Sequence, residues 1–275
     1  MEKTDPVELA YDVRGSGSPV LLLAGTGYAA ATWPDALIEG LAASHTVITF
    51  DYRGTGRSPG SDGPYSTRLF AADAIRLLAE LRVGPAHVIG HSMGGRVAQW
   101  LALDAPEAVR SIVLAASGPG AYQDDQPAIT GIPLETALAL AEKGYERYIG
   151  DQIRSTFFPP EFTAAAPATV DQLIRAFWDH RPGLRDYLKH VVARQGHRTV
   201  DRLAEIRQPV LVIVGDRDTH RGGTGSHIEQ SEYLAAHLPD ARLAIVEGAA
   251  HGYFWQCPDR VVPEILAFFA ENDRA

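Results

Sequence analysis

Seven short, β-branched apolar runs alternate along the chain with longer stretches of helical periodicity, and this alternation constrains the fold more than any other feature. The runs are VELAYDV (7–13), PVLLLAG (19–25), HTVITFD (45–51), AHVIGH (86–91), SIVLAA (111–116), PVLVIVG (209–215) and ARLAIVE (241–247). The inner runs are apolar at nearly every position, as strands covered on both faces must be. Between them, STRLFAADAIRLLAEL (66–81) repeats apolar residues at helical spacing after a Ser/Thr start, and VPEILAFFAEN (262–272) does the same. Strand, helix and strand in succession predict an α/β fold with a mostly parallel central sheet flanked by helices.

The rhythm breaks between about residues 120 and 200. That interval has no convincing strand, but it holds the helical stretches LETALALAEKGYERYI (134–149) and VDQLIRAFWDH (170–180), with FFPPEF (157–162) between them. It reads as a helical insertion lying over one end of the sheet. Residues 1–120 and 201–275 then form the core domain, and residues 121–200 a cap.

With 45% hydrophobic residues, the 275-residue chain has ample material for a sizeable core. It carries 34 acidic against 25 basic residues, a net charge of -9, and no dense Lys/Arg run, so nucleic acid is excluded as the expected partner. The longest apolar stretches, such as PVLLLA (19–24), fall well short of the ~20 residues that cross a bilayer. The N-terminus MEKTDPVELAYDV lacks the basic and apolar blocks of a secretory signal, which predicts a cytoplasmic location. The only cysteine, Cys257, rules out an internal disulfide and fits a reducing compartment. It reads as a small core or surface residue, since no thiolate-activating group accompanies it.

Two segments match G-x-S-x-G: GRSPG (56–60), centred on Ser58, and GHSMG (90–94), centred on Ser92. An acyl-transfer serine needs an exposed hydroxyl, a base, and donors for the oxyanion formed on attack. GRSPG leads into a loop of turn formers, and Pro59 follows its serine. In a nucleophile elbow the residue after the serine gives its backbone N–H to the oxyanion, and proline has none. GHSMG lies between a strand and the helical MGGRVAQWLALDAPEAV. There Gly90 and Gly94 let the backbone turn tightly, Gly95 lets the helix approach the sheet, and Met93 has an N–H to donate.

With these motifs in order, the sequence resembles the α/β-hydrolase fold family over nearly its whole length. AGTGYAAATW (24–33) is similar to the family's oxyanion loop, DYRGTGRS (51–58) to the segment after the next strand, and VIGHSMGG (88–95) to its elbow. GDRD (215–218) resembles the acid turn and GAAHGYFWQCP (248–258) the histidine loop. The resemblance implies the catalytic set Ser92, Asp218 and His251, with Asp216 as the rival acid. It implies an oxyanion hole of the Thr26 and Met93 N–H groups, no cofactor, no metal, and a helical cap inserted after the sixth strand. Many relatives carry histidine where this chain has Ala24, which bears on the shape of the oxyanion loop. Asp216 reads as a turn former bonding its own backbone, and His220 and His227 as loop residues rather than bases or metal ligands.

Serine in place of aspartate at position 92 argues against dehalogenase or epoxide hydrolase chemistry. The expected activity is hydrolysis of a carboxylic ester or lactone of a small, partly apolar molecule. Thioester, amide or C–C hydrolysis, a lyase reaction, peracid formation, or slow-turnover reception of a small ligand would use the same machinery. Phe157, Phe158, Phe162, Phe177, Trp178, Tyr28, Trp33, Tyr253 and Trp255 are candidates for an apolar pocket or for plain core. Individual substrate contacts and the oligomeric state stay open at this level.

Overall fold

The computed structural model describes residues 6–122, 130–219, 221–222 and 225–273. Its strands are β1 (Tyr11–Gly15), β2 (Ser18–Leu23), β3 (His45–Phe50), β4 (Ala86–His91), β5 (Val109–Ala115), β6 (Val210–Gly215), the two-residue β7 (Arg221–Gly222) and β8 (Gly225–Ser226), and β9 (Ala241–Val246). β7 and β8 pair only with each other, and the remaining seven form one sheet in the order β1-β3-β2-β4-β5-β6-β9. Every pairing in that sheet is parallel except β1 with β3. Both faces of β4 and β6 are buried at every residue, which is why β6 is apolar throughout and β4 apart from His87 and His91. The edge strands differ: β1 is exposed along its length, and β9 leaves Leu243 and Ile245 exposed. The first strand also begins later than the run 7–13 suggests, because its pairing with β3 extends only over Tyr11–Gly15.

The described helices outside the insertion are α1 (Asp35–Ala42), α2 (Thr67–Leu81), α3 (Met93–Asp104), α9 (His227–His237), the short α10 (Tyr253–Gln256) and α11 (Pro258–Asn272). α2 starts where the Ser66 hydroxyl accepts the Leu69 N–H at 3.0 Å and stops at Arg82, whose φ of 53° turns the chain out of the helix. Its buried stripe of Leu69, Phe70, Ala74, Leu77 and Leu78 follows helical spacing. Among the described residues, no helix is long and apolar enough to cross a membrane.

The insertion comprises α4 (Leu134–Lys143), α5 (Tyr145–Gln152), a π-helical turn Ile153–Phe157, α6 (Pro160–Ala165), α7 (Pro167–His180) and α8 (Leu184–Gln195). It follows the fifth strand in chain order, not the sixth. The described residues ahead of Ser18 form a single strand, so only five precede the break. Ile149, Ile153, Phe157, Phe158, Val170, Leu173, Phe177, Tyr187 and Val191 make a second apolar cluster within it. A bridge between Gly120 and Arg198 closes its neck, supported by the Thr199 N–H on the Pro119 carbonyl at 2.9 Å. Polar contacts seat it on the sheet. His190 Nε2 donates to the Arg53 carbonyl at 3.0 Å, the Tyr65 hydroxyl to Asp186 at 2.8 Å, and the Gly56 N–H to the His180 carbonyl at 3.0 Å.

The register brings Leu23 beside Gly90, His91 beside Ala115, and Gly215 beside Val246. The loops that leave β2, β4, β6 and β9 therefore depart from one edge of the sheet, the carboxyl edge where open parallel sheets hold their ligands.

Candidate active site

Ser92 sits between β4 and α3 with φ 56° and ψ -116°, a region that a residue with a Cβ adopts only under constraint. Its N–H donates to the Ala115 carbonyl at 2.8 Å, while its carbonyl accepts the Gly95 N–H at 3.1 Å and the Ser117 hydroxyl at 2.8 Å. Gly94 permits the turn by close approach, since a Cβ there would collide with the Leu23 carbonyl oxygen. The positive φ thus falls on the serine itself, and the following glycine lets α3 press onto β2. Met93, fully buried, is the first residue of α3, so its N–H has no acceptor within the helix. Gly25 and Thr26 line the cavity beside Ser92, and a Cβ on Gly25 would stand 3.6 Å from that of Ser92. The buried Thr26 hydroxyl has no hydrogen-bond partner among the described residues.

Asp218 follows β6 in a turn closed by its own N–H on the Gly215 carbonyl at 3.1 Å. His251 follows β9, and its Nδ1 meets Asp218 Oδ2 at 2.7 Å. Asp218 Oδ1 meets His227 Nδ1 at 3.0 Å, and the two imidazoles stack with centres 4.5 Å apart. Burial alone would raise the Asp218 carboxyl, but the charge and hydrogen bonds of His251 and His227 hold it well below the usual carboxylate range. Burial pushes His227 down despite the Asp218 carboxylate beside it.

His227 is therefore not a free loop residue. The capping box of Ser226 and Glu229 starts α9 at that position and delivers its ring to the acid. The S-x-x-E spacing at 226–229 was the available signal. Asp218, His227 and His251 bring three donor atoms within 4.8 Å of one another, a spacing that a metal ion could bridge, although both Nδ1 atoms face carboxylate oxygens. His220 lies outside the described residues.

His91, the variable residue of GHSMG, was also missed. It is buried, and its Nε2 donates to the His251 carbonyl at 3.0 Å. Burial, with His251 close by, holds its imidazole well below the ordinary histidine range. From the other side, the Gly252 N–H donates to the Phe157 carbonyl at 2.6 Å, and the Phe157 ring stands edge-on to His251 with centres 5.0 Å apart. The histidine loop is held by the sheet and by the insertion together.

The rival residues have other tasks. The Ser58 hydroxyl donates to the Asp51 carbonyl at 2.7 Å and accepts the Ala10 N–H at 2.9 Å, tying the N-terminal segment to the end of β3. Asp216 accepts the Gly248 N–H at 2.7 Å, so it bonds the histidine loop rather than its own turn. Cys257 is buried, with its thiol on the Tyr253 carbonyl and its pKa pushed up by burial.

Ser92, Asp218, His227 and His251 share one cavity of about 140 Å³ with Gly25, Thr26 and Tyr28. Of the aromatic candidates, Phe157 and Tyr28 line it; Phe158 and Phe177 pack inside the insertion, and Trp33 and Tyr253 in the main core. Tyr148 and Tyr187 line it as well, along with the polar Arg96, Ser117, Arg194 and Gln230, none of which sequence reasoning singled out. Arg96 had a legible signal, standing one helical turn after Ser92.

The family model of the alpha/beta hydrolase fold matches residues 18–258. Over 267 residues the chain is 34% identical to a protein provisionally named carbamate hydrolase RutD of Azorhizobium caulinodans, covering 97% of each. It is 38% identical over 270 residues to rhodomycin D methylesterase DnrP of Streptomyces peucetius, covering 85% of each. A solved hydrolase from Pseudomonas aeruginosa PA01 superposes with a TM-score of 0.82 at 27% identity, over 98% of this chain and 97% of that one. The chain belongs to the α/β-hydrolase fold family.

Proposed function

We propose that this protein is a cofactor-independent serine hydrolase that cleaves a carboxylic ester or lactone of a small, partly apolar molecule through an acyl-enzyme on Ser92. The observation that carries the reading is the meeting, in one cavity, of a serine at positive φ with a histidine bonded to a buried aspartate. The 38% identity to a protein named as a methylesterase supports it.

In this reading His251 takes the Ser92 proton as Oγ attacks the carbonyl carbon, and Asp218 orients the ring and balances its charge. The N–H groups of Met93 and Thr26 hold the oxyanion; losing one such donor costs about 3 to 4 kcal/mol in the transition state. The leaving alkoxide takes the proton from His251, and water repeats the cycle to release the acid. Residues 121–200 act as the cap that shields the cavity, and Phe157 and Tyr28 give it an apolar wall.

Turnover of p-nitrophenyl acetate and butyrate, compared with that of Ser92→Ala, tests the reading. Hydrolysis that disappears in the variant is expected. Hydrolysis that survives in Ser92→Ala, or none in the wild type, contradicts it.

A further inference from the structure

Among the described residues, the buried guanidinium of Arg96 has no counter-ion. Arg96 is 6% exposed and lines the cavity four residues after Ser92 on α3, roughly 6 Å along the helix axis. A guanidinium has five N–H donors and stays charged in proteins. The acceptors that the described residues give Arg96 are both neutral: the Arg194 carbonyl at 2.6 Å and the Gln230 Oε1 at 3.4 Å. Gln230 is itself buried and presents its oxygen because its Nε2 donates to the Gly225 and Ser226 carbonyls. Gly118 leaves room for that amide, since a Cβ there would collide with Oε1.

The surroundings sharpen the imbalance. Arg194 also lines the cavity, and its charge lies close enough to oppose that of Arg96. Among the described residues, Asp218 is the one carboxylate in the lining, and both its oxygens face imidazoles. Burial, with Arg194 nearby, pulls the Arg96 guanidinium down to about 9. A tether from α3 to the last turn of α8 needs one N–H and no charge, so anchoring the insertion does not by itself call for a buried guanidinium. In a chain of net charge -9, a buried guanidinium that lines a cavity and meets only neutral acceptors among the described residues marks a place for an anion.

We propose that Arg96 binds a carboxylate on the acyl part of the substrate, so that the preferred substrates are half-esters of short dicarboxylic acids, or lactones bearing a carboxylate. This specificity rests on the reading of Ser92 as the nucleophile. The one-turn spacing sets the carboxylate a few carbons from the attacked carbonyl. A bidentate carboxylate also matches the guanidinium fork.

Binding can be measured apart from turnover. In Ser92→Ala, calorimetric titration with monomethyl glutarate and with its neutral counterpart dimethyl glutarate compares the two ligands. The half-ester is expected to bind about tenfold or more tightly than the diester. That ratio should collapse toward one in Ser92→Ala/Arg96→Met and be kept in part by Ser92→Ala/Arg96→Lys. Equal or tighter binding of the diester, no measurable binding of the half-ester, or a preference that persists in a folded Arg96→Met protein overturns the proposal. If Arg96→Met does not fold, the ligand ratio with Arg96 intact and the lysine variant still decide. Turnover of p-nitrophenyl butyrate by the wild type against Ser92→Ala reads the nucleophile separately. Ser92-dependent turnover without carboxylate preference removes the anion site alone, whereas preference without turnover removes the hydrolase reading alone.

Discussion

The imidazole of His227 lies nearly flat against that of His251, with ring centres 4.5 Å apart and planes 29° apart, and the two rings meet opposite oxygens of Asp218. In the proposed mechanism His227 fixes the rotation of the carboxylate that orients His251. Its loss removes a hydrogen bond to a charged group, a change of about 1.5 to 3 kcal/mol, or roughly tenfold or more in rate. His227→Ala should lower kcat for p-nitrophenyl butyrate by that factor while leaving KM nearly unchanged, and His227→Asn, which keeps a donor, should recover part of the loss. Unchanged kcat in His227→Ala would show that the second imidazole does not position the acid.

Two aspartates stand two residues apart with different partners. Asp218→Asn removes the charge that orients His251, and turnover should fall by on the order of 10³ to 10⁴. Asp216→Asn keeps an oxygen for the Gly248 N–H, so it should stay within about threefold of wild type. Steady-state kinetics on both variants check this, and the reverse order would move the acid to Asp216.

Ser58 is a structural serine. Ser58→Ala removes a hydroxyl that donates to the Asp51 carbonyl and accepts the Ala10 N–H. It should cost about 1 to 3 kcal/mol in urea unfolding while turnover per folded molecule is kept. Loss of turnover without loss of stability would contradict the assignment.

Acid should weaken the seat of the insertion. Burial pushes His190 down to about 4, while an unfolded imidazole takes a proton near 6.5. Between those values the unfolded chain binds more protons, so this contribution is fully present above pH ~6.5 and is lost as the pH falls toward ~4. The difference corresponds to about 3 kcal/mol. Asp218 works in the same sense at lower pH: its depressed carboxyl contributes fully above the ordinary carboxylate range, and that contribution is lost as the pH falls through and below that range. Thermal unfolding measured from pH 7 to pH 4.5 should show Tm falling, with a shallower fall in His190→Gln, which still has an amide to donate to the Arg53 carbonyl. Equal slopes in both proteins would exclude His190 as a source.

What could be read from the sequence followed physical scale. The alternation of apolar runs and helices was plain because β4 and β6 are buried on both faces, and that pattern needs no partner residue to be seen. The choice between Ser58 and Ser92 was legible from one covalent fact, the missing N–H of Pro59. For His227 and Arg96 only a local spacing was legible, the S-x-x-E box and the one-turn offset from Ser92, and for His91 nothing was; what each side chain meets is set by the fold. His91 reaches the His251 carbonyl, and Arg96 reaches Arg194 on the insertion. The aromatic residues were ambiguous for a related reason. Phe157 and Phe158 are neighbours, yet only Phe157 lines the cavity, because the π-helical turn ends between them. The cap's place in the strand order was misjudged from the resemblance alone: five apolar runs precede residue 120, and each of them forms one strand of the sheet.

If Ser92 is the nucleophile, covalent trapping will mark it. The protein is incubated with a serine-directed fluorophosphonate, digested, and the modified peptide is mapped by mass spectrometry. A single adduct on Ser92 is expected, formed in step with loss of ester turnover and absent from Ser92→Ala. An adduct on another residue, such as Ser58 or Ser117, that accompanies loss of turnover would contradict it.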